Sequence, residues 1–418
     1  MTTQSINPAV ERTARLTYGL VLLGVGLFIY LVFAQHTAPG VQTTFGMNLA
    51  GSEAIVIPDL AVPARLTVQL MALIAVFFGI VQLIRGFRGA SMLVAVIAVT
   101  FVVAFVTWAA QGKSFSFTGM LNSSLVGATP IALAALCGVI SERSAVINIG
   151  IEGIMLLSAQ TAVVSASLTH NLYVGLFVAM LTGAVIAAIH AYLVIQYKVD
   201  QIVSGVAINI FGAGFTSYVS SRFLEHNVDL LNNSGIFPSI SIPLLSKIPV
   251  LGPLLFENNI VVYLMLILVI VMHVVLFNTP WGLRTRAVGE HPKAADTLGV
   301  NVYLMRYVNV IIGGVIAGLG GAYFTIGSVG RFDQIMTAGK GFIGLAAMIF
   351  GKWNPIGALA SSMIFGFADS LQVKLQILRV PIPSAFLIMA PYVVTMIVLT
   401  GVVGRAIPPA ADGQPYEK

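Results

Sequence analysis

The residues that could carry catalysis are scattered along this sequence. The six histidines lie at positions 36, 170, 190, 226, 273 and 291, and no two share the His-x-x-x-His spacing of a zinc site. No Gly-x-Ser-x-Gly elbow accompanies a plausible catalytic triad, and Cys137 is the only cysteine. These patterns predict a protein that is not an enzyme and that holds neither a metal ion nor a cofactor.

One fragment, Gly112-Lys113-Ser114, resembles the end of a phosphate-binding loop. The complete motif needs a glycine five residues before its last glycine, and that position is Thr107. The fragment also follows an apolar run rather than a strand. If the protein uses ATP, we therefore expect another chain to hydrolyse it.

Composition places the chain in a membrane. Hydrophobic residues make up 58% of the 418 residues and charged residues only 9%, against about 45–50% and about 25% in soluble proteins. Apolar runs of about 18 residues, the length that crosses a bilayer as a helix, recur along the chain. They do not alternate as barrel strands do. The formal net charge of +6 sits mostly in short loops, which favours membrane orientation over a nucleic-acid partner.

The fold class that follows is an all-α polytopic membrane protein with about 10–12 transmembrane helices among membrane lipids. The first run is long for a signal core and lacks a good cleavage site, so we interpret it as a span whose N-terminus lies inside. Gly314 and Gly318 predict a close helix crossing. Residues 342–351 are apolar but too few to cross alone. The predicted spans lie at about 16–34, 66–84, 90–110, 121–140, 146–168, 172–195, 202–220, 260–278, 306–327, 356–372 and 383–403.

Two regions of the sequence resemble each other weakly. Residues 150–159 echo residues 339–347, and the stretch that begins at Asn171 echoes the stretch that begins at Asn354. The span before the first copy runs inward and the span before the second runs outward, which predicts an inverted-topology repeat, as many transporters have. This repeat sends 335–351 inward, 356–372 outward and 383–403 inward. Chance similarity between apolar segments is the alternative.

Several polar residues lie at or near membrane depth. Two of them, Glu152 and Lys340, occupy matching places in the two copies of the repeat. A helix entered through glycines can offer backbone and side-chain groups to a polar solute, so these residues are candidates to line a translocation path. The alternative is that they form salt bridges or helix caps. The candidates are Asn148, Glu152, Asn209, Lys340, Asn354 and Asp369.

The stretch 279–301 is a polar island between two long apolar runs. It carries Arg284, Arg286 and Lys293, and cationic short loops are retained in the cytoplasm. Pro292 suits the first position of a short helix and Gly299 suits its stop. The island therefore predicts a small basic helix on the cytoplasmic face, suited to docking a soluble partner. The alternative is a connecting loop that only sets orientation.

Three stretches carry a resemblance to a known family: residues 140–156, 286–300 and 341–355. From about Leu121 to about Ala406 the chain resembles the membrane subunit of an ATP-binding-cassette (ABC) importer, in the family of ribose, branched-chain amino acid and nucleoside permeases. The Ser-Glu-Arg-Ser and Gly-Ile-Glu-Gly forms are most similar to permeases that work with a basic-membrane-protein type binding lipoprotein and carry nucleosides or simple sugars.

The resemblance implies a multi-pass protein of the bacterial inner (plasma) membrane. It also implies a separate ABC ATPase, a second related permease in a heterodimer, and a periplasmic or lipid-anchored substrate-binding protein. Residues 1–115 become an N-terminal extension with three helices, 116–408 the permease domain and 409–418 a C-terminal tail. The implied ATPase-coupling loop spans 284–299, with contact candidates Arg284, Arg286, Gly289, Glu290, Ala294, Ala295 and Gly299.

Other functions remain open at this point. An ion-coupled secondary transporter also fits an inverted repeat, although the long polar island argues against it. A branched-chain amino acid permease belongs to the same resembled family. An intramembrane enzyme needs a convergent acid–base or metal set within the spans, and the sequence offers none.

Overall fold

The computed structural model describes residues 8–86, 90–380 and 406–418, together with four isolated positions between 383 and 389. Ten of its described helices are long and apolar enough to cross a membrane, which confirms the predicted all-α membrane class. The predicted span 383–403 lies almost wholly outside the described residues. Contacts divide the chain into two units: residues 1–121, 247–253 and 371–404 form one, and 122–246, 254–370 and 405–418 form the other. The three domains predicted from the sequence stay a prediction.

The first unit is built on three apolar helices. Helix α1 (Pro8–Phe28) continues as a π-helix to Ala34, and α2 (Ala64–Ile84) and α3 (Ala90–Ala109) follow. They pack around aromatic side chains, among which the ring of Phe33 stacks on Trp108 at a centroid distance of 5.0 Å. Because rings remove large areas from contact with lipid or water, this cluster fixes how the three helices meet.

A small sheet joins the ends of these helices. Strands β1 (Gln42–Gly46) and β2 (Leu60–Pro63) are antiparallel, and β3 (Ser114–Ser116) pairs parallel to β1. The sequence analysis treated this region as a loop, because strands of three to five residues with few apolar side chains give little periodic signal.

The second unit contains the family-like stretches. Its helices are α4 (Phe117–Glu142), α5 (Ile151–Thr169), α6 (Leu172–Ala191), α7 (Gln201–Val219), α8 (Val228–Leu231), α9 (Leu251–Leu255), α10 (Ile260–Asn278), α11 (Pro280–Glu290), α12 (Pro292–Thr297), α13 (Val302–Phe324), α14 (Lys340–Phe350) and α15 (Pro355–Ile377). Helices α4 and α9 begin in the first unit, and α15 ends in it. Helices α6, α7 and α13 continue as π-helices to Gln196, Leu224 and Val329. Strands β4 (Ile240–Ser241) and β5 (Glu257–Asn258) form a minimal antiparallel pair.

Helices α4, α5 and α13 form the buried centre of this unit, whereas α6, α7 and α10 keep most of their surface exposed. The crossing of α6 with α13 is made by glycines. A Cβ atom at Gly183 would lie 2.1 Å from the carbonyl oxygen of Gly314, and one at Gly318 would lie 2.4 Å from that of Ala179. The predicted close crossing at Gly314 and Gly318 is thus confirmed, since only glycine lets backbones approach so closely.

Helix α14 corrects the predicted inward crossing of 335–351. It has 11 residues, and at about 1.5 Å per residue it rises only about 16 Å, roughly half of a hydrocarbon core of about 30 Å. The residues before it, 330–339, form turns rather than helix. This segment is a half-helix, and it does not span the membrane alone.

Candidate functional site

The depth of the half-helix follows from two contacts between α5 and α13. These helices run parallel, because Gly321 packs on the Met155 carbonyl and the Thr325 hydroxyl donates to the Ala159 carbonyl at 3.1 Å. Gly321 stands eight residues before the end of its helix at Val329. Counting back to Glu152 puts its Cα about 16 Å from that end and about 25 Å from the end of α5 at Thr169, so Glu152 lies within the length of the spanning helices and not at their outer ends.

The Glu152 side chain caps the N-terminus of α14. Its Oε1 accepts hydrogen bonds from the Thr337 hydroxyl at 2.6 Å and the Gly339 N–H at 2.8 Å, and its Oε2 accepts from the Gly341 N–H at 2.7 Å. The side chain is buried. A helix N-terminus leaves N–H groups without partners and favours negative charge, so a carboxylate is the group that suits this position.

Two asparagine side chains accept hydrogen bonds from backbone N–H groups at the start of α5. Asn148 Oδ1 accepts from the Gly150 N–H at 3.1 Å. Asn209, which comes from α7, accepts from the Gly153 N–H at 2.8 Å and donates to the Ile149 carbonyl at 2.9 Å. The starts of α5 and α14 therefore meet inside the unit, each capped by side chains.

The repeat noticed in the sequence has a local counterpart in these caps. Gly150 and Gly339 are the N-caps of α5 and α14, and Asn171 and Asn354 are the N-caps of α6 and α15. Aligning the helix starts matches Glu152 with Gly341, so the predicted match of Glu152 with Lys340 is wrong by one residue. The inverted orientation of the two copies stays a prediction.

Lys340 and Asp369 form an ion pair beside the start of α14. Their side chains are 22% and 27% exposed, so they are shielded from bulk solvent but accessible from one side. Of the six predicted path residues, these two alone pair their charges with each other; Asn148, Glu152, Asn209 and Asn354 serve as helix caps. An ionisable pair at membrane depth is a functional candidate, because burying charge in lipid is costly.

Two of the family-like stretches contact each other at the far end of α14. The Trp353 indole N–H donates to a Glu142 carboxylate oxygen at 2.5 Å, and Arg143 Nε donates to the Trp353 carbonyl at 3.0 Å. Both Lys352 and Trp353 have positive φ angles, of 56° and 52°. The end of α4 thus holds the sharp turn that separates α14 from α15.

The polar island at 279–301 forms two helices rather than one. The Thr279 hydroxyl accepts from the Gly282 N–H at 3.3 Å, with Pro280 at the first position of α11. Helix α12 begins at Pro292, as the sequence predicts, and Gly299 follows it with φ of +82°. The Thr-Pro pair is a helix-start signal that the sequence analysis left unused for α11.

An asparagine that the sequence analysis missed fastens α11 to α13. The buried Asn309 side chain accepts from the Trp281 indole N–H at 3.0 Å and donates to the Thr285 hydroxyl at 3.0 Å. Because this amide uses both its acceptor and its donor on α11, it sets the position of that helix against α13.

The seven predicted contact residues divide by exposure. Arg286 is half-buried, with its guanidinium 5.2 Å from the centre of the Phe277 ring. A Cβ at Gly289 would lie 2.4 Å from the Arg143 carbonyl oxygen, and Ala295 packs in the chain's own apolar core. Gly289 and Ala295 are therefore wrong as direct contacts for a partner. The exposed members are Arg284, Glu290, Ala294 and Gly299.

Leu298 is an exposed residue that the sequence analysis did not select. It is 85% exposed at the end of α12, and Leu283 on α11 is 63% exposed. Both are apolar side chains on helices that also carry exposed charge, a combination typical of a surface that another protein covers. Within the described residues, no group of three or more His, Cys, Asp or Glu side chains could hold a metal ion.

Comparison with known proteins decides the family. The family described as "Branched-chain amino acid transport system / permease component" matches residues 120–403. This chain belongs to that family. The guanosine ABC transporter permease protein NupQ of Bacillus subtilis is 43% identical over 72% of this chain and 96% of its own. The nucleoside ABC transporter permease protein NupC of Lactococcus lactis is 41% identical over the same shares.

Two further relatives bear on substrate and assembly. The putative glucose ABC transporter permease protein TsgC13 of Haloferax volcanii is 36% identical over 64% of this chain and 81% of its own. The same Bacillus strain has a second guanosine permease protein, NupP, that is 24% identical over 61% of this chain and 73% of its own. No solved structure matches the chain.

The family assignment confirms the predicted ABC importer permease, as against the ion-coupled carrier. The protein is a multi-pass subunit of the plasma membrane and not itself an enzyme, because ATP is hydrolysed by a separate subunit in transporters of this type. An ATPase and a substrate-binding protein are its general partners.

Proposed function

We propose that this chain lines the path by which a nucleoside crosses the plasma membrane, as one of two permease subunits of an importer. The observation that carries the substrate class is the 43% identity with a guanosine permease protein over 96% of that protein's length. A nucleoside is neutral and offers hydroxyl and ring-nitrogen groups, so its path needs both donors and acceptors.

We propose Lys340 and Asp369 as the solute-contacting pair on this path. The ammonium group donates, the carboxylate accepts, and both are partly exposed at the start of a half-helix. The other four candidate path residues already use their side chains to cap helices. An ion pair that is not fully enclosed can exchange one partner for a polar solute, because the donors and acceptors of the solute replace the bond that is broken.

Uptake of radiolabelled guanosine tests this proposal in a strain that lacks the chain and is complemented with variants. We expect Lys340→Gln and Asp369→Asn each to raise the KM for guanosine about tenfold or more, since losing a hydrogen bond with a charged partner costs about 1.5–3 kcal/mol. The charge-swapped double variant, Lys340→Asp with Asp369→Lys, should recover part of this loss.

The matched control is Asp333→Asn, which breaks the Arg331–Asp333 ion pair, whose side chains are 61% and 54% exposed. Uptake should not change in this variant. Unaltered guanosine KM in both Lys340→Gln and Asp369→Asn contradicts the assignment of this pair to the path. Unaltered guanosine uptake in the strain lacking the chain contradicts the substrate class.

We further propose that the exposed face of α11 and α12 docks the ATPase. Arg284, Glu290 and Leu298 supply charge of both signs and an apolar contact on this face. Arg284→Glu with Leu298→Ala should reduce co-purification of the ATPase and leave the chain's thermal unfolding unchanged, because both side chains are exposed. Arg331→Glu, a charge reversal outside α11 and α12, is the control. Undiminished co-purification of the ATPase with the double variant counts against this face.

We propose a heterodimer with a second permease of the NupP kind. The support is that one Bacillus strain has two guanosine permease proteins, at 43% and 24% identity to this chain. Mass spectrometry of the intact purified complex should find two different permease chains. Two copies of this chain in one complex contradict the heterodimer.

A simple sugar is the second candidate substrate, favoured by the 36% identity with a putative glucose permease protein. The same uptake assay with radiolabelled glucose decides between a sugar and a nucleoside. Uptake of radiolabelled leucine tests the third alternative, a branched-chain amino acid. If the strain that lacks the chain loses glucose uptake but keeps guanosine uptake, the substrate is a sugar and not a nucleoside.

A further inference from the structure

The C-terminal segment 406–418, called the tail below, lies beyond the residues that the family covers, which end at 403. It packs on the polar helices rather than projecting into solvent. The Ala411 N–H donates to the Gly289 carbonyl at 2.9 Å, and the Ala410 N–H donates to a Glu290 carboxylate oxygen at 3.3 Å. The tail is therefore hydrogen-bonded to the end of α11 through its backbone.

Arg306 connects the tail to α13. Its side chain is 2% exposed and is the largest fully buried one among the described residues. One guanidinium nitrogen, Nη1, donates to the Gln414 carbonyl at 3.1 Å, and the Tyr416 ring centre lies 6.0 Å from the guanidinium carbon. The Nε and Nη2 atoms have no hydrogen-bond partner among the described residues. A buried cation needs compensation, and the tail supplies its carbonyl and its aromatic face.

Tyr416 also fills an apolar junction. It is 5% exposed and packs in one cluster with Val288 of α11, Ala295 of α12 and Met305 of α13. Its ring meets that of Tyr303 at a centroid distance of 5.3 Å and an interplanar angle of 61°. One side chain of the tail thus contacts both helices of the proposed docking face and the helix behind them.

The last two residues add ion pairs at the surface. Glu417 pairs with Lys198, and Lys418 lies 3.8 Å from Asp296 of α12. Glu417 and Lys418 are 71% and 76% exposed, so these pairs contribute little to the strength of docking. The burial of Tyr416 and the contact of the tail with Arg306 therefore supply most of the energy that holds the tail in place.

We propose that the tail is a clamp that fixes α11 and α12 against α13, so that movement imposed on the docking face is passed to α13. Helix α13 and its π-helical continuation lead from Arg306 to the turn that precedes Lys340. Asn309 holds the first half of α11 on α13, so a loose tail frees the end of α11 and α12 to tilt without moving α13. The inference rests on the proposed docking of the ATPase and adds a positioning role for Tyr416 and Arg306.

The test is the number of solute molecules imported per ATP hydrolysed by the complete complex in liposomes. We expect Tyr416→Ala to lower this ratio at least about threefold while basal ATP hydrolysis and ATPase co-purification persist, because removing a buried aromatic side chain strongly weakens a local contact. Tyr416→Phe, which keeps the ring and removes only the hydroxyl beside Asp296 of α12, should retain most of the ratio. Ile407→Ala is the control, since that side chain is 79% exposed on the same segment.

If Tyr416→Ala does not accumulate in membranes, Tyr416→Leu keeps the cluster filled and removes only the ring beside Arg306. The same loss of coupling is then expected at an unchanged unfolding temperature. A wild-type ratio in the Tyr416→Leu protein, or in Tyr416→Ala, overturns the clamp. Absence of solute-dependent ATP hydrolysis in the wild-type complex is a different result, which overturns the proposed function instead.

Discussion

Replacing Glu152 with glutamine tests whether this buried carboxylate holds the two helix starts together. The amide oxygen can keep the bonds from Thr337 and Gly339, but the amide nitrogen faces the Gly341 N–H, where the carboxylate accepts at 2.7 Å. One charge-assisted bond is lost, worth about 1.5–3 kcal/mol, and the favourable charge at the helix N-terminus adds about 0.3–1 kcal/mol. We expect Glu152→Gln to lower the free energy of unfolding by about 2–4 kcal/mol.

Turning the glutamine amide over gives no better arrangement, because its nitrogen would then face the Gly339 N–H. A Cβ at Gly341 would lie 2.7 Å from the Glu152 Cα, so the two backbones are in contact. Unfolding in mixed micelles, followed by circular dichroism, measures the loss. The matched control is Gln160→Leu on the same helix, where a buried amide donates a single neutral bond to the Thr216 carbonyl at 2.8 Å; its loss should be about 1 kcal/mol.

Two outcomes would contradict the role of Glu152 as a helix cap. If Glu152→Gln unfolds at the wild-type denaturant concentration but raises the KM for the solute, the carboxylate contacts solute and does not act as a cap. If both Glu152→Gln and Gln160→Leu lose the same small amount, the three hydrogen bonds do not carry the charge-assisted strength assigned to them.

The remaining predictions concern packing, the docking face and the tail. Gly183→Ala should prevent stable folding, because its methyl would lie 2.1 Å from a backbone oxygen, whereas Gly214→Ala, which meets nothing within 4 Å, should fold normally in the same detergent-stability assay. Asn309→Ala should leave the Trp281 indole and the Thr285 hydroxyl without their partner and expose α11 to faster hydrogen exchange, with the α5 amides as the unchanged reference. Burial raises the pKa of Asp412 to about 6, against opposing effects of a hydrogen bond with Glu142, the Gly413 N–H and the Arg306 cation. The docked pKa is above the ordinary value, so protonation of this carboxyl favours docking, and that stabilisation is lost as pH rises through about 6; proteolysis of the tail should be faster at pH 8 than at pH 5. Asp412→Asn should reduce the difference without abolishing it, because the Glu142 carboxyl takes part in the same buried contact.

Hydropathy predicted the long helices because each is an uninterrupted apolar run with local stop signals. Helix α10 agrees with its predicted span, 260–278, since the Asn259 cap and the Thr279-Pro280 pair bracket the run. The N-terminal sheet gave no such signal. Its strands are short and partly polar, and they pair residues that lie 15 to 70 positions apart, for example Phe45 with Leu60 and Thr44 with Ser114, which a single sequence does not reveal.

The candidate site was predicted in its residue types but not in its partners. A glutamate inside an apolar run marks a special position whatever its role, so Glu152 could be selected from the sequence. Its partner Gly341 lies 189 residues away, and no local pattern links the two. The same limit applies to Tyr416, whose cluster is assembled from three helices and a segment without hydrophobic periodicity.

The different surroundings of the two charged groups at the half-helix argue for different roles during transport. Glu152 is buried with three hydrogen bonds, so moving it away from α14 leaves several buried donors without partners and costs several bonds at once. Lys340 and Asp369 are partly exposed and pair with each other beside the Glu152 charge, so a solute with donors and acceptors can take the place of one partner. If Lys340 and Asp369 contact the solute as proposed, we expect the contact at Glu152 to stay fixed during transport and the contact at Lys340, the first residue of α14, to change. Because Glu152 anchors α14 at its start, the proposed transmission along α13 predicts a rotation of the turn at 330–339 rather than a separation of α5 from α14.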